Sequence, residues 1–243
     1  MSANAETAGL HGRGLVLGLV LGVDTCGPSG SVALARLRGG TVEILGQTEL
    51  AGRTYSARLI AAIAELLTGE GIGLAEIGAI VVVHGPGSFT GVRVGLSAVK
   101  GLAEGRFLGV VPVSRLEVLA FEAGTGCAAL DAHRQEIFLR LARSGQETLE
   151  LLAGREELES MTLAPQPTRI AYCDEAAEGL LRSAWQAAEL VRVSAPTAAD
   201  AIALCAPRVA AREFADPILL DGHYLRRSDA EIFGEPGAPA RSR

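Results

Sequence analysis

Aromatic residues make up only 4% of the 243 residues, and Lys and Arg form no run. Acidic residues number 28 against 22 basic ones, a net charge of −6. Such a chain has little with which to displace counterions from a phosphate backbone, which excludes a freestanding nucleic-acid binder. Cysteine is sparse, at Cys26, Cys127, Cys173 and Cys205, with no two close together. That spacing excludes a local redox pair, a zinc knuckle and a disulfide scaffold, and it predicts a reducing, cytoplasmic setting. His11, His84, His133 and His223 are equally scattered, with no pair at i, i+4. No metal site is therefore expected, and no metal-dependent activity. The chain lacks a Gly-Lys-Ser/Thr phosphate loop, a Gly-x-Gly-x-x-Gly fingerprint and a Gly-x-Ser-x-Gly nucleophile elbow. One apolar run, Leu15 to Val23, is too short to span a bilayer. It ends on Asp24 and Thr25 instead of a small-residue cleavage site, so neither a signal peptide nor a membrane partner is expected.

What is present is enough apolar surface for a core: 49% apolar and 21% charged residues, with 30 glycines for tight turns. Leu15–Asp24 is apolar without alternation, as in a buried central strand. A turn at Cys26-Gly27-Pro28-Ser29-Gly30 leads to strands over Ser31–Leu37 and Val42–Glu49. Tyr55–Leu67 holds no Gly or Pro and predicts a helix. Ile77–His84 reads as a strand, Gly85–Gly91 as a loop and Val92–Glu104 as a helix. A short strand follows at Val110–Val113, then Ser114 as N-cap of a helix over Leu116–Glu122. In the second half, Cys127–Asp131, Glu136–Leu141, Arg169–Cys173 and Leu190–Val193 read as strands. Glu175–Gln186 and Thr197–Phe214 read as helices, the last kinked by Pro207. Leu21-Gly22-Val23-Asp24 parallels Ala128-Ala129-Leu130-Asp131: an apolar strand ending on Asp, a turn, and a returning strand. The pattern predicts an internally duplicated α/β fold with a mixed sheet in each half. The expected division is a disordered extension over 1–13, an N-terminal lobe over 14–115, a C-terminal lobe over 116–233 and a disordered tail over 234–243.

Two turns have chemistry within reach. Asp24-Thr25 closes a strand before a Gly/Ser-rich turn, which suits either a phosphate nest with a metal-holding carboxylate or a hairpin capped by Asp. Gly85–Gly91 lies between a strand and a helix, suiting either an anion at free helix N–H groups or a structural turn capped by Ser88 and Thr90. The candidate nucleotide contacts are thus Asp24, Thr25, Gly87 and Ser88. Pro28 removes an N–H from the first turn and no Lys supports it, so ATP binding is expected to be weak or absent. His84 reads as a packed or surface residue, and no catalytic residue is assigned.

The two helices carry a different signal. At 100° per residue, Leu59, Ile63, Leu66 and Leu67 form a core stripe. Beside it runs a row of small residues, Ala57, Ala61, Ala64 and Thr68, where a solvated face would carry Lys and Glu. In the second helix Val92, Leu96, Val99 and Ala103 form the core stripe, Arg93, Ser97, Lys100 and Glu104 the polar one, and Val94, Ala98 and Gly101 a further small row. The rows either pack the two helices on each other or also admit a partner's helices. A partner surface is expected at Ala57, Ile60, Ala61, Ala64, Thr68, Val94, Ala98 and Gly101.

The string His84-Gly85-Pro86-Gly87-Ser88-Phe89-Thr90-Gly91-Val92-Arg93-Val94-Gly95 resembles the TsaB (YeaZ) family. Val23-Asp24-Thr25, Ser56 with Leu59-Ile60, Leu130-Asp131-Ala132 and Tyr224-Leu225-Arg226 add to the likeness. The resemblance implies an actin/hexokinase-like (ASKHA) fold of two duplicated lobes. It also implies a non-catalytic scaffold that pairs with and activates a transferase subunit, TsaD, in forming threonylcarbamoyladenosine next to the anticodon of tRNAs reading codons that begin with A. An ATPase subunit, TsaE, joins that complex, tRNA is met only through it, and the scaffold forms a homodimer when alone. The chain departs from the family at Tyr55-Ser56, where His-Ser is usual, and at Pro28 in the first turn. An autonomous ATP-using enzyme of the same fold, or a homodimer with a separate role, is the alternative reading.

Overall fold

The computed structural model describes residues 18–226 except 53, 143, 144, 146 and 162–166. The expected extension, the tail and the first residues of the Leu15–Asp24 strand lie outside the described residues. Three antiparallel strands open the fold: β1 (Leu19–Asp24), β2 (Ser29–Arg38) and β3 (Thr41–Ala51). Helix α1 (Tyr55–Gly69) then crosses to β4 (Ala79–Val83), and α2 (Phe89–Arg106) to β5 (Gly109–Val113). The sheet order is β3-β2-β1-β4-β5, with β1, β4 and β5 parallel. Helix α3 (Arg115–Glu122) leads into the second half.

That half repeats the plan. β6 (Ala128–Asp131), β7 (Glu136–Leu141) and β8 (Leu149–Gly154) form the meander, and α4 (Arg155–Ser160), β9 (Arg169–Tyr172), α5 (Glu175–Ala184) and β10 (Glu189–Arg192) follow. The order β10-β9-β6-β7-β8 is that of the first sheet read strand for strand. Asp24 and Asp131 end equivalent strands, as the sequence parallel predicts.

The two closing helices cross over. α3, which follows the first sheet, packs Leu116, Leu119 and Ala120 with Ala128 and Leu130 of the second. α6 (Ala198–Ala210), which follows the second sheet, packs Ala201, Ile202, Cys205 and Val209 into the core of the first. A division of the chain at 115/116 is therefore not a division of the cores. Both central strands β1 and β4 are buried on both faces, which is why they read as unbroken apolar runs.

Besides a 3-10 turn at Leu74–Glu76, two elements of the described residues were not expected from sequence, β8 and α4. Leu149–Gly154 lacks clean alternation and α4 is only six residues long. Helix α2 begins at Phe89, three residues earlier than expected, so Thr90 is helical and Ser88 alone is the N-cap, accepting from Gly91 N–H at 3.3 Å. Helix α6 ends at Ala210, short of the expected Phe214 and one turn past Pro207.

Candidate functional site

The two lobes enclose a cleft of about 1010 Å³. One wall is built from the β1–β2 turn, the start of α1 and the loop before α2. The other comes from the β6–β7 turn, Cys173-Asp174 and Arg226, with Arg115 between them. Of the four sequence-derived nucleotide contacts, Gly87 and Ser88 line the first wall, while Asp24 and Thr25 are buried and bonded within the protein. Asp24 is fully buried, accepts the Cys26 N–H at 2.8 Å and forms an ion pair with Arg115 at 3.5 Å. Burial pushes its carboxyl up, and the Arg115 guanidinium only partly offsets this. Thr25 donates its hydroxyl to Gly91 O at 2.7 Å, and Ser88 N–H donates to Cys26 O at 2.8 Å. A Cβ on Gly87 would overlap Cys26 O and one on Gly91 would overlap Thr25 O, so glycine is what lets the two turns interlock.

Two residues fill the space above this junction. Tyr55 is buried, and its hydroxyl donates to Gly27 O at 2.8 Å. Burial pushes that phenol up to about 12. Arg115 lies against Gly27 with its side chain 7% exposed. Across the cleft, burial pushes the Cys173 thiol up to about 11, so it carries no thiolate at neutral pH. Sequence reasoning singled out neither Arg115 nor its buried setting. The signal was present: Arg115 shares a helical face with Val118 and Leu119, at i, i+3 and i+4, and both are fully buried.

His84 ends the strand region after β4, with Nδ1 3.2 Å from Asp221 O and its ring 5.5 Å from that of His223. Burial pulls its pKa below the ordinary 6.5. Among the described residues no group of three His, Cys, Asp or Glu side chains is placed to hold a metal ion. No helix there is long and apolar enough to cross a membrane.

The helix rows lie on α1 and α2 of the first lobe, and one member, Val94, also lines the cleft. All four residues of each core stripe are buried. Of the small rows, Ala57, Ala64, Thr68 and Gly101 are exposed, and Ala61, Val94 and Ala98 are half-buried. Ile60, a large apolar side chain, is 57% exposed beside them. α1 and α2 pack side by side, so the rows form one face.

The duplicated mixed sheets, flanked by helices and parted by a cleft, define an actin/hexokinase-like α/β protein. The family model described as TsaD, tRNA N6-adenosine threonylcarbamoyltransferase, matches residues 44–200, more than half of the chain. The chain belongs to that family, and within it to the TsaB (YeaZ) group. It is 40% identical over 125 residues to the tRNA threonylcarbamoyladenosine biosynthesis protein TsaB of Haemophilus influenzae, covering 49% of this chain and 51% of that one. To TsaB of Escherichia coli it is 36% identical over 125 residues, covering 49% and 52%. The chain thus spans about half the length of the curated relatives it matches. Among solved structures, an uncharacterized Pseudomonas aeruginosa protein with similarity to peptidase YeaZ superposes with a TM-score of 0.68 at 26% identity. That match covers 86% of this chain and 99% of the other.

Proposed function

We propose that this chain is an accessory subunit in the biosynthesis of threonylcarbamoyladenosine in tRNA, pairing through α1 and α2 with a homologous transferase subunit and activating it. The observation that carries this reading is the face formed by the two helices. Its exposed positions are small or apolar, with Ile60 standing clear of the surface. Small side chains let a second helix pair approach closely, and apolar ones gain by leaving water. The names of the TsaB relatives supply the pathway. On this reading the chain has no catalytic residue of its own and meets tRNA only within the complex. The transferase subunit and an ATPase subunit are its partners, and a homodimer uses the same face when the partner is absent.

The test is Ala61→Glu. A carboxylate at the centre of the seam finds only Arg58 nearby, and that side chain is already paired with Glu65. Loss of an interface hot spot costs upwards of ~2 kcal/mol, and a buried unpaired charge costs no less. Association with the transferase subunit is expected to weaken by at least about 30-fold while circular dichroism stays that of the folded protein. Unchanged affinity in a folded variant moves the partner surface elsewhere.

A further inference from the structure

We propose that the cleft between the lobes binds a compact carboxylate, held by the guanidinium of Arg115. This goes beyond the partner-binding reading, which uses the α1–α2 face of the first lobe and gives the cleft no ligand.

Arg115 is a buried cation with little around it to accept its protons. Its side chain is 7% exposed, yet its buried Nε has no partner within hydrogen-bond geometry. A guanidinium carries five N–H donors in a rigid fork. Among the described residues its ion pair is with Asp24, 3.5 Å from Nε. That is longer than the 2.7–2.9 Å range usual for charge-assisted hydrogen bonds. Asp24 Oδ2, on its side, also accepts no hydrogen bond. Leaving buried donors unfilled is costly, and a buried cation left so poorly paired is costlier still. Arg115 also lines the cleft, so a ligand can supply the missing acceptors. An oxyanion with two coplanar oxygens matches the fork in both geometry and charge.

The walls choose among oxyanions. Asp131 and Asp174 line the same cleft from the second lobe. Each is fixed in place: Asp131 Oδ1 accepts the His133 N–H at 2.7 Å, and Asp174 accepts the Ala177 and Asp131 N–H groups at 2.7 and 2.9 Å. A polyphosphate would set several negative charges against both. A single carboxylate needs only the guanidinium, and a zwitterion can place its ammonium group toward the two aspartates. Tyr55 and Cys173, with pKa values pushed up by burial, remain neutral beside it.

The experiment is a backbone NMR titration of the full chain with sodium acetate, glycine, inorganic phosphate and ATP, each against sodium chloride at matched ionic strength. Acetate and glycine are expected to produce saturable shifts at the amides of Gly27, Leu116 and Cys173, with phosphate weaker and ATP weakest. Arg115→Lys keeps the charge but loses the fork, and should weaken acetate binding about tenfold or more. Asp24→Asn removes the competing carboxylate with little change of shape, and should tighten it. Shifts absent at those amides, scattered over the surface, or equal in sodium chloride overturn the site. Tighter binding of phosphate than of acetate at the same amides overturns the carboxylate assignment. Opposite responses of the two variants support the site, and equal responses contradict it. The state of the α1–α2 seam does not enter either readout.

Discussion

Glu150 Oε2 lies 2.7 Å from His223 Nε2, and this contact joins the two lobes. Glu150 stands on β8, an edge strand of the second sheet. The backbone N–H of His223 donates to His84 O, just beyond β4 of the first sheet, at 2.8 Å. Next along the chain, Tyr224 stacks on Phe89 at the start of α2, with ring centroids 4.9 Å apart. Arg226 then returns to the second lobe and pairs with Glu136. Asp221–Arg226 is thus a strap that alternates between lobes, and Glu150 is its main anchor.

The first prediction concerns that anchor. Burial raises the Glu150 pKa, but hydrogen bonds from His223, Ser114 and Arg140 outweigh it and hold the carboxyl below its ordinary 4.5. A carboxyl lowered in the folded state contributes stability at neutral pH and loses it as pH falls through the folded value. Glu150→Gln should therefore cost about 1–3 kcal/mol at neutral pH, because the amide removes the charge and turns one of the two acceptor oxygens shared by Arg140, Ser114 and His223 into an NH2 donor. Urea unfolding of both proteins at neutral pH and below the ordinary carboxylate range measures this. The gap between them should narrow in acid, and a gap independent of pH would contradict the assignment.

The second prediction concerns the interlocked turns. Gly91→Ala would drive a Cβ into Thr25 O, a backbone atom that has no room to yield while Thr25 donates to Gly91 O. The expected loss is about 1–3 kcal/mol or more. Gly105→Ala on the same helix meets nothing within 4 Å and should instead raise stability by roughly 0.5–1 kcal/mol. Thermal unfolding of the pair checks the sign. Equal and small effects would show that the junction is looser than its geometry.

Much of this architecture was legible in the residues. β1 and β4 are buried on both faces and read as continuous apolar runs, and the Ser88 and Ser114 caps announce α2 and α3. The helix stripes follow from a 3.6-residue period alone. What escaped depends on contacts distant in sequence. The return of α6 to the first sheet leaves no mark on its own periodicity, which needs only some apolar surface to cover. Asp24 was readable as a strand-end carboxylate, but its commitment to Arg115, 91 positions later, was not. Glu150 sits in an ambiguous Leu-rich stretch, and its partners come from three separate segments.

The last prediction concerns nucleotide. A phosphate-binding turn needs free N–H groups, room above them, and a carboxylate or cation nearby to hold the charge. In the β1–β2 turn Pro28 has no N–H to give. The room is taken: the Tyr55 ring lies against Gly30, its hydroxyl donates to Gly27 O at 2.8 Å, and Arg115 lies against Gly27. Asp24, the carboxylate that would hold a hydrated metal, is fully buried and paired with Arg115. The phenol, raised to about 12, remains a donor across the whole neutral range, so pH does not release the turn. Titration calorimetry of the isolated protein with ATP and magnesium should therefore give no binding tighter than ~1 µM, weaker than about −8.2 kcal/mol. Tyr55→Phe should not improve it, because the ring stays while Gly27 O loses its donor, at a cost of about 1–3 kcal/mol in stability. A sub-micromolar dissociation constant for the wild-type chain would mean that Tyr55 and Arg115 leave this turn when nucleotide arrives.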